Sequence, residues 1–346
     1  DISGDAVIGK TKIPLGDFID LKKKKKNWIQ LDGKIIFLPD QIKKAQRISF
    51  ERDNKVLKVA KSEILDVLNL ANEWNLKQIA NINELVDFED IETQLPAEIS
   101  SILRPYQFTG IKWLLSLKAN GFGGCLADDM GLGKTLQIIA YLSDARNSNA
   151  RALIVVPKTL LENWKREFIK FSPKIRVNIY HGTNRTLANI ENEDVIITTY
   201  GTLINDIKIF SQIHFENLIV DEVQYIKNSR SKAYRAVKST HAFTKIIMTG
   251  TPVENNLQEY WDLMRVANHT ELTFKMISKN SEPNAIFEKV RTITKPFLLR
   301  RFKNDVLKEL PEKEEQVIFC NFDKGQKALY ETMLESIRNE IDRKAD

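Results

Sequence analysis

A glycine-rich octapeptide restricts the possible folds of this chain more than any other segment. It reads Asp-Asp-Met-Gly-Leu-Gly-Lys-Thr over residues 128–135, after the apolar stretch 123–127 and before a helical pattern that begins at Leu136. Gly131 and Gly133 allow the backbone to turn so that its N–H groups point inward, and the following helix adds the positive end of its dipole. Such a loop between a strand and a helix is typical of phosphate binding.

The octapeptide departs at one position from the usual phosphate-loop pattern. The pattern G-x-x-x-x-G-K-[ST] has glycine where this chain has Asp128. The remainder predicts that Lys134 contacts the β and γ phosphates of ATP and that the Thr135 hydroxyl holds Mg²⁺. Taken alone, the loop also fits an ordinary glycine-rich turn. The residues expected to line the nucleotide are Asp129, Met130, Gly131, Leu132, Gly133, Lys134 and Thr135.

An acidic pair lies downstream, at the end of a second apolar run. Residues 217–220 lead into Asp221 and Glu222. The carboxyl ends of strands are where open α/β sheets bind their ligands. We therefore expect Asp221 to hold Mg²⁺ and Glu222 to orient or deprotonate the attacking water. The alternative, a solvated acidic strand end, is common for one carboxylate pair, but the phosphate loop upstream favours the catalytic interpretation.

Short apolar runs alternate with helical stretches from Pro96 onward. Continuous Val, Ile and Leu runs of this kind indicate a parallel sheet covered on both faces. The predicted fold class is α/β, with a doubly wound parallel sheet in a RecA-like phosphate-loop NTPase lobe over residues 96–265. The predicted strands are Gly124 to Asp128, Ala152 to Val156, Val177 to His181, Val195 to Thr199, Leu218 to Asp221 and Lys245 to Thr249.

The remaining sequence divides into a segment before this lobe and one after it. Residues 1–95 have the pattern of a small mixed α/β accessory segment, with a hairpin over 28–37 around an Asp-Gly turn and a helix over 62–74. Residues 266–346 are predicted to be mainly helical, and their last part, 324–346, fits one amphipathic helix.

Composition excludes several classes of protein. Hydrophobic residues make up 42% and charged residues 28% of the 346 residues, as in ordinary globular proteins. No apolar run reaches the length of about 18 residues that a membrane span needs. The formal net charge of +6 is compatible with a polyanionic partner. The lysine run 22–26 either contacts nucleic acid or is a solvated loop.

The cysteines and the amino end bear on where the protein works. Cys125 and Cys320 both lie in apolar surroundings, which predicts buried free thiols in a reducing cytoplasm rather than a disulfide framework. The first residues, 1–5, are neither a signal peptide nor a natural start, so we expect the chain to be a fragment.

A series of short motifs follows residue 96 in a fixed order. The motifs are Leu103-Arg104-Pro105-Tyr106-Gln107, the phosphate loop, Ile154-Val155-Val156-Pro157, Ile197-Thr198-Thr199-Tyr200, Asp221-Glu222-Val223-Gln224, Thr249-Gly250-Thr251-Pro252 and Pro296-Phe297-Leu298-Leu299-Arg300-Arg301. Over residues 96 to about 335 this series resembles one family, the SWI/SNF-like ATPases of helicase superfamily two. The resemblance implies a motor that uses ATP to move along double-stranded DNA, usually without separating its strands.

The resemblance implies roles for residues outside the loop and the acidic pair. Gln107 corresponds to the family glutamine that recognises adenine, with a surface helix glutamine as the alternative. Gln224 stands where many relatives have His, and it is expected to sense the γ phosphate or link to the next motif. Thr249, Gly250 and Thr251 correspond to the segment that couples hydrolysis to DNA grip, although a plain Gly-Thr-Pro turn is the alternative.

DNA contacts are expected at strand ends on the side where such motors hold a phosphate backbone. The candidates are Lys158, Thr198, Thr199 and Tyr200, which would position double-stranded DNA without reading its sequence. Lys158 fits a solvated loop residue equally well. Trp164 is expected to pack a helix rather than stack on a base.

The resemblance also implies partners. A second RecA-like lobe supplies arginines to the γ phosphate, so a chain without that lobe should bind ATP weakly and hydrolyse it poorly. Residues 266–346 would include the connection toward that lobe. Arg300 and Arg301 belong to this connection and are poor candidates for that role. Residues 1–95 resemble accessory regions of bacterial members, and this resemblance, together with Gln224, favours a bacterial source. A protein partner would bind to residues 1–95.

Two other functions remain open at this point. A strand-separating helicase, acting on DNA or RNA, would use the same nucleotide site. A non-catalytic, nucleotide-dependent scaffold would recruit partners through residues 1–95. The Thr-Gly-Thr-Pro and Leu-Leu-Arg-Arg sequences favour a translocase over an RNA helicase. A non-catalytic scaffold could lose its catalytic residues, but no residue of this site looks degenerate, which disfavours the scaffold.

Overall fold

The structure is a computed structural model, and it divides the chain into two units, residues 1–306 and 307–346, which we describe separately. The described residues are 5–8, 11–14, 28–31, 34–37, 50–53, 56–59, 65–66, 68–69, 88–147, 150–186, 190, 192–250, 257–268, 270, 273–278, 282–306 and 323–345.

Three antiparallel strand pairs lie in the accessory segment. The predicted hairpin is confirmed, because Leu31 pairs with Lys34 and two residues separate the strands in sequence. The predicted helix over 62–74 is helical at 65–66 and 68–69, and its other positions lie outside the described residues. The pairs are β1 (Asp5–Ile8) with β2 (Thr11–Pro14), β3 (Trp28–Leu31) with β4 (Lys34–Phe37), and β5 (Phe50–Asp53) with β6 (Val56–Val59).

A seven-stranded, all-parallel sheet forms the centre of the first unit and confirms the predicted α/β fold class. Its order is β13-β7-β12-β11-β8-β10-β9. Every residue of β8 and β10 is buried, as expected for strands covered on both faces. The strands are β7 (Gly124–Leu126), β8 (Ala152–Val156), β9 (Val177–Tyr180), β10 (Val195–Thr199), β11 (Phe215–Val220), β12 (Ala242–Met248) and β13 (Leu298–Leu299).

The strand boundaries differ from the predictions at several ends. β7 stops at Leu126 because the chain turns into the phosphate loop, and β11 and β12 each begin three residues earlier than predicted. The edge strand β13 was not predicted, since two residues carry no readable periodicity; it pairs with β7.

Helices follow most strands. The helix α3 begins directly after the phosphate loop, which orients its amino end toward the loop. The helices of the first unit are α1 (Ala97–Ser100), α2 (Pro105–Ala119), α3 (Lys134–Ser143), α4 (Leu161–Phe171), α5 (Tyr200–Asn205), α6 (Ile207–Phe210), α7 (Lys232–Ser239), α8 (Leu257–Ala267), α9 (Phe274–Ser278), α10 (Pro283–Thr294) and α11 (Lys303–Val306).

The accessory segment packs against the parallel-sheet lobe. Leu65 and Leu68 belong to the main hydrophobic core, and Asp66 accepts a hydrogen bond of 2.6 Å from the Thr270 hydroxyl. Farther along the chain, the Gln94 backbone donates to Asp144 at 2.7 Å. The boundary at residue 95 between accessory segment and lobe therefore remains a prediction, because residues before it belong to the same hydrophobic core as the lobe.

The second unit contains α12 (Lys324–Ala345), which confirms the predicted carboxyl-terminal helix. In the part of the chain that the structure describes, no helix combines the length and the apolar character needed to cross a membrane.

Candidate functional site

The phosphate loop connects β7 to α3 at the carboxyl ends of the strands, which we call the carboxyl edge of the sheet. Gly131 and Gly133 have φ angles of +86° and +72°, a left-handed conformation that glycine adopts at little cost. A Cβ at Gly133 would lie 2.5 Å from Nε2 of Gln107. Glycine at this position therefore gives both the turn and the close approach of α2.

The Lys134 ammonium lies inside the loop. Its Nζ donates to the carbonyl oxygens of Asp128 and Asp129, at 2.5 and 3.3 Å. Burial lowers the pKa of Lys134, while the carboxylates of Asp128, Asp221 and Glu222 act in the opposite direction. The loop and the acidic pair are thus close enough to interact electrostatically, as the sequence predicts.

Asp128, at the position where the usual pattern has glycine, is fully buried and ion-paired. Nε of Arg301 donates to its Oδ1 at 2.9 Å, a second guanidinium nitrogen donates to Oδ2, and Nε2 of Gln137 donates to Oδ2 at 3.1 Å. Sequence reasoning missed this pair, whose members are 173 positions apart. The signal was the aspartate itself, because a buried carboxylate requires a cation.

Gln107 is buried beneath the loop. Its Oε1 accepts from the Arg104 backbone at 2.9 Å and its Nε2 donates to the Leu132 carbonyl at 3.2 Å. The Tyr106 hydroxyl donates to the same carbonyl. The amide of Gln107 therefore caps α2 and fixes the loop, and its contact with adenine remains a prediction.

The acidic pair follows β11, as predicted. Oδ1 of Asp221 accepts from the Glu222 backbone at 2.9 Å, and Oδ2 accepts from Nε1 of Trp164 at 3.0 Å. Burial raises the pKa of Asp221, and the hydrogen bond from Trp164 opposes that shift. Trp164 is buried, which confirms that it packs its helix, but nothing in the sequence indicates that its indole also orients Asp221.

Glu222 has a strained backbone. With φ +50° and ψ +62°, it is the one non-glycine residue in the left-handed region among the described residues. Such a conformation costs on the order of 1–3 kcal/mol and is concentrated at active sites. The chain thus leaves the extended strand conformation at Glu222, directly after Asp221.

Thr135 and Asp221 are the side chains that the sequence predicts to hold Mg²⁺. Both oxygens of Asp221 already accept one hydrogen bond each and retain further lone pairs. Among the described residues, no cluster of three or more His, Cys, Asp or Glu side chains could form a metal site. One carboxylate and one hydroxyl fit Mg²⁺, which is usually held by few protein ligands together with substrate phosphates and water.

The four predicted DNA contacts have different environments. Lys158 is exposed beyond the carboxyl end of β8. Thr198, Thr199 and Tyr200 are buried, and their hydroxyls make internal bonds: Thr198 to the Tyr180 carbonyl, Thr199 with Thr202, and Tyr200 to the Asp221 carbonyl. Tyr200 therefore donates a hydrogen bond to the backbone of the acidic pair.

The predicted coupling segment is described at two of its three positions. Thr249 is buried, and its backbone donates to the Leu126 carbonyl at 3.2 Å. A Cβ at Gly250 would lie 3.2 Å from Cγ of Met130, so the coupling segment and the phosphate loop touch. Thr251 lies outside the described residues, and Gln224 is exposed.

A cavity of about 590 Å³ lies at the opposite end of the sheet, which we call the amino edge. Its lining includes Asp144, Arg176 and Asp194. Arg176 and Asp194 pair with each other at 2.8 Å, and Asp144 pairs with Arg146 at 2.9 Å. The cavity contains none of the predicted site residues, so the carboxyl edge remains the candidate site.

Comparison with known proteins identifies one family profile, described as the SNF2-related domain, which matches residues 106–345. A human SWI/SNF-related matrix-associated actin-dependent regulator of chromatin, subfamily A member 1, is 38% identical over 67% of this chain and 24% of its own length. The putative ATP-dependent helicase/translocase YwqA of Bacillus subtilis is 35% identical over 79% of this chain and 32% of its own length.

A solved structure is also similar. The SWI2/SNF2 ATPase core of Sulfolobus solfataricus in complex with dsDNA has a TM-score of 0.57 and 36% identity, covering 73% of this chain and 56% of that one. The chain spans a third or less of the two curated relatives named above. These relatives include bacterial and eukaryotic proteins, and the predicted bacterial source stays a prediction.

Proposed function

The chain belongs to the SNF2-related family of helicase-like ATPases, and on that basis we propose that it is the ATP-binding lobe of a motor that moves along double-stranded DNA. The observation that carries the proposal is the arrangement of charged groups at the carboxyl edge. There, Lys134 lies in a phosphate loop within electrostatic reach of Asp221 and Glu222. A cation for phosphates beside a carboxylate pair is what ATP hydrolysis requires.

Each residue of the site has a proposed role in hydrolysis. The backbone N–H groups of residues 129–135 and the Lys134 ammonium bind the phosphates. Gln107 contacts the adenine, and Gln224 contacts the γ phosphate. Glu222 orients and deprotonates the attacking water. Thr135 and Asp221 hold Mg²⁺, which, when bound, neutralises charge that develops on the phosphate oxygens.

DNA is proposed to bind at the carboxyl edge beside the nucleotide. Support comes from the exposure of Lys158 and from the relative whose structure was solved in complex with dsDNA. Lys158 would contact a phosphate directly, while Thr198, Thr199 and Tyr200 would shape the backbone that receives it. Thr249, Gly250 and Thr251 would couple hydrolysis to this contact; the approach of Gly250 to Met130 supports that role.

A second RecA-like lobe is proposed to complete the active site. Without its arginines, the chain would hydrolyse ATP slowly, because an arginine on the γ phosphate is worth roughly 10³ to 10⁵ in rate in related phosphoryl transfer. The accessory segment would be the place for a protein partner.

The test is steady-state ATP hydrolysis by the protein in its natural length, with duplex DNA, single-stranded DNA or RNA added. Stimulation by duplex DNA is expected to exceed that by the single strands. Absence of any stimulation by duplex DNA would contradict a double-stranded DNA motor.

Strand separation is the second candidate, because the Bacillus subtilis relative is named a putative helicase/translocase. The two candidates are distinguished by a labelled partial duplex. A translocase hydrolyses ATP on this substrate without releasing the labelled strand, whereas a helicase releases it in proportion to ATP consumed.

A further inference from the structure

We propose that Arg301 and Asp128 form a clamp by which the connection at residues 298–303 holds the phosphate loop in its nucleotide-binding conformation. In this proposal Arg301 is a positioning residue: it acts on ATP through the loop and does not touch ATP itself. The inference rests on the proposed ATP binding, and it adds a residue and a segment that the motif pattern leaves without a role in that binding.

The connection first meets the loop through its backbone. The Ala127 N–H donates to the Leu299 carbonyl at 2.7 Å, and the Asp129 N–H donates to the Arg301 carbonyl at 3.0 Å. The Lys303 N–H then donates to Oδ2 of Asp129 at 3.0 Å. The pairing of β13 with β7 thus continues beyond the strands and forms one wall of the loop.

The guanidinium of Arg301 donates hydrogen bonds to four acceptor atoms. It donates to both carboxylate oxygens of Asp128, to Oε1 of Gln137 at 2.7 Å and to the Tyr106 carbonyl. Its plane also lies over the Tyr106 ring, 5.2 Å from the centroid. Lysine carries the same charge but cannot reproduce this fork of hydrogen bonds or the stacking.

The clamp reaches the turn of the phosphate loop through Gln137. Gln137 donates to Oδ2 of Asp128 and, at 3.4 Å, to the Leu132 carbonyl, which also accepts from Gln107. Space for the network is provided by Gly110, where a Cβ would lie 2.0 Å from Oε1 of Gln137 and 2.9 Å from a guanidinium nitrogen of Arg301. A shift of Arg301 therefore changes the contacts of Leu132.

The clamp gives a physical reason for aspartate where the common pattern has glycine. Asp128 and Arg301 are almost wholly buried, with side chains 0% and 12% exposed. Removal of one member would leave a buried charge without its counterion. Restoring the common glycine should therefore weaken nucleotide binding in this protein, although it makes the octapeptide match the pattern better.

The experiment compares three variants by titration with a fluorescent ATP analogue and Mg²⁺. Asp128→Gly and Arg301→Lys are each expected to weaken binding by about tenfold or more, since bidentate charge-assisted bonds are lost. Arg146→Lys changes the ion pair of buried Asp144 at the amino edge in the same way. This control should stay within about twofold of wild type.

Two further measurements separate positioning of the loop from a general loss of stability. The double variant Asp128→Gly/Arg301→Lys should bind about as weakly as the worse single variant, because both changes break one interaction. In ATP hydrolysis by the protein in its natural length, Arg301→Lys should raise KM for ATP more than it lowers kcat. Circular dichroism checks folding, and Arg301→Lys decides the matter if Asp128→Gly does not fold.

Wild-type affinity in Arg301→Lys, with the wild-type chain binding the analogue, would overturn the clamp and leave the proposed ATP binding intact. Additive losses in the double variant would also overturn it. Absence of binding by the wild-type chain would instead count against the proposed function.

Discussion

The two edges of the parallel sheet use polar groups in different ways. At the amino edge, two of the described carboxylates pair with arginines: Asp144 with Arg146 and Asp194 with Arg176. Although burial alone would raise the pKa of Asp144, hydrogen bonds from Arg146 and Gln94 lower it. Donors at the same edge of the sheet thus compensate these charges, and the result is local stability.

The carboxyl edge is arranged for something other than local stability. Glu222 is held in a strained conformation, and the carboxylate of Asp221 is buried against an indole N–H instead of a cation. Lys134 remains in the loop although burial lowers its pKa. Strained backbone and incompletely compensated charge are features of sites that bind a charged ligand. Changes at the carboxyl edge should therefore affect ATP binding and turnover, whereas changes to polar groups elsewhere should affect stability alone, and four experiments test that difference.

The largest effect is expected for Glu222→Gln at the carboxyl edge. The amide has nearly the shape of the carboxylate but cannot accept a proton from water, so kcat for ATP hydrolysis should fall by a factor of about 10² to 10⁴. Binding of ATP should be retained. The measurement is single-turnover hydrolysis together with nucleotide titration of the same variant.

Lys134→Ala provides the contrast within the same site. It removes the phosphate-contacting ammonium, so ATP binding itself should be lost. Wild-type turnover in Glu222→Gln would show that Glu222 does not activate the water and would remove the main chemical difference between the two edges.

The second experiment concerns stability and its pH dependence. Lys245 is buried in β12, where Nζ donates to the carbonyls of Val237 and Lys238. Burial, aided by Lys238, lowers the pKa of Lys245 from 10.5 to about 7. Above pH 7 the folded chain loses this proton while the unfolded chain keeps it, so stability should rise with pH.

The slope from this one group is at most about 1.4 kcal/mol per pH unit between pH 7 and 9. Lys245→Met should remove that increment in urea unfolding at pH 7, 8 and 9, and affinity for ATP should not change. The exposed Lys232 lies on the adjoining helix α7, and Lys232→Met should keep the wild-type slope. Equal slopes in wild type and Lys245→Met would contradict the lowered pKa.

Two buried tryptophans allow a matched comparison of a site residue and a structural one. Nε1 of Trp164 donates to Asp221 at 3.0 Å, and Nε1 of Trp113 donates to the Pro296 carbonyl at 3.1 Å. Each change to Phe removes one hydrogen bond and should cost about 1 kcal/mol of stability.

Only Trp164→Phe should also raise the Mg²⁺ concentration needed for half-maximal nucleotide binding, by about tenfold, the value for a hydrogen bond to a charged group. The Mg²⁺ titration of a fluorescent nucleotide at fixed concentration measures this shift. If Trp113→Phe produced the same shift, the effect would reflect packing rather than orientation of Asp221.

The smallest effect is expected where the accessory segment docks. Thr270→Val removes the hydrogen bond to Asp66 and should lower the free energy of unfolding by about 1 kcal/mol without changing the KM for ATP. Thr292→Val is the control, because that exposed hydroxyl bonds only within its own helix. A change in KM for Thr270→Val would mean that the docking contact and the nucleotide site are coupled.

The sequence predicted the central strands and the carboxyl-edge site because the signals for both lie in short, continuous segments of the chain. Strands covered on both faces produce unbroken apolar runs, and the phosphate loop and the acidic pair each occupy adjacent positions. The two-residue strand β13, the Arg301–Asp128 pair and the bond from Trp164 to Asp221 could not be predicted in this way. Each joins residues that are distant in the chain and that only the tertiary fold brings together, β13 through backbone hydrogen bonds and the other two pairs through their side chains.

The docking of Leu65, Leu68 and Gln94 has a consequence for modularity. The family profile begins at residue 106, and motif order alone would separate the lobe from the rest at residue 96. In a chimera built by exchanging lobes between relatives at that point, Leu65 and Leu68 would come from one parent and the core around them from the other. Asp144 would likewise be separated from its native backbone donor, Gln94. A portion intended to fold as a unit should therefore begin before Leu65, so that the accessory residues and the lobe they contact come from the same parent.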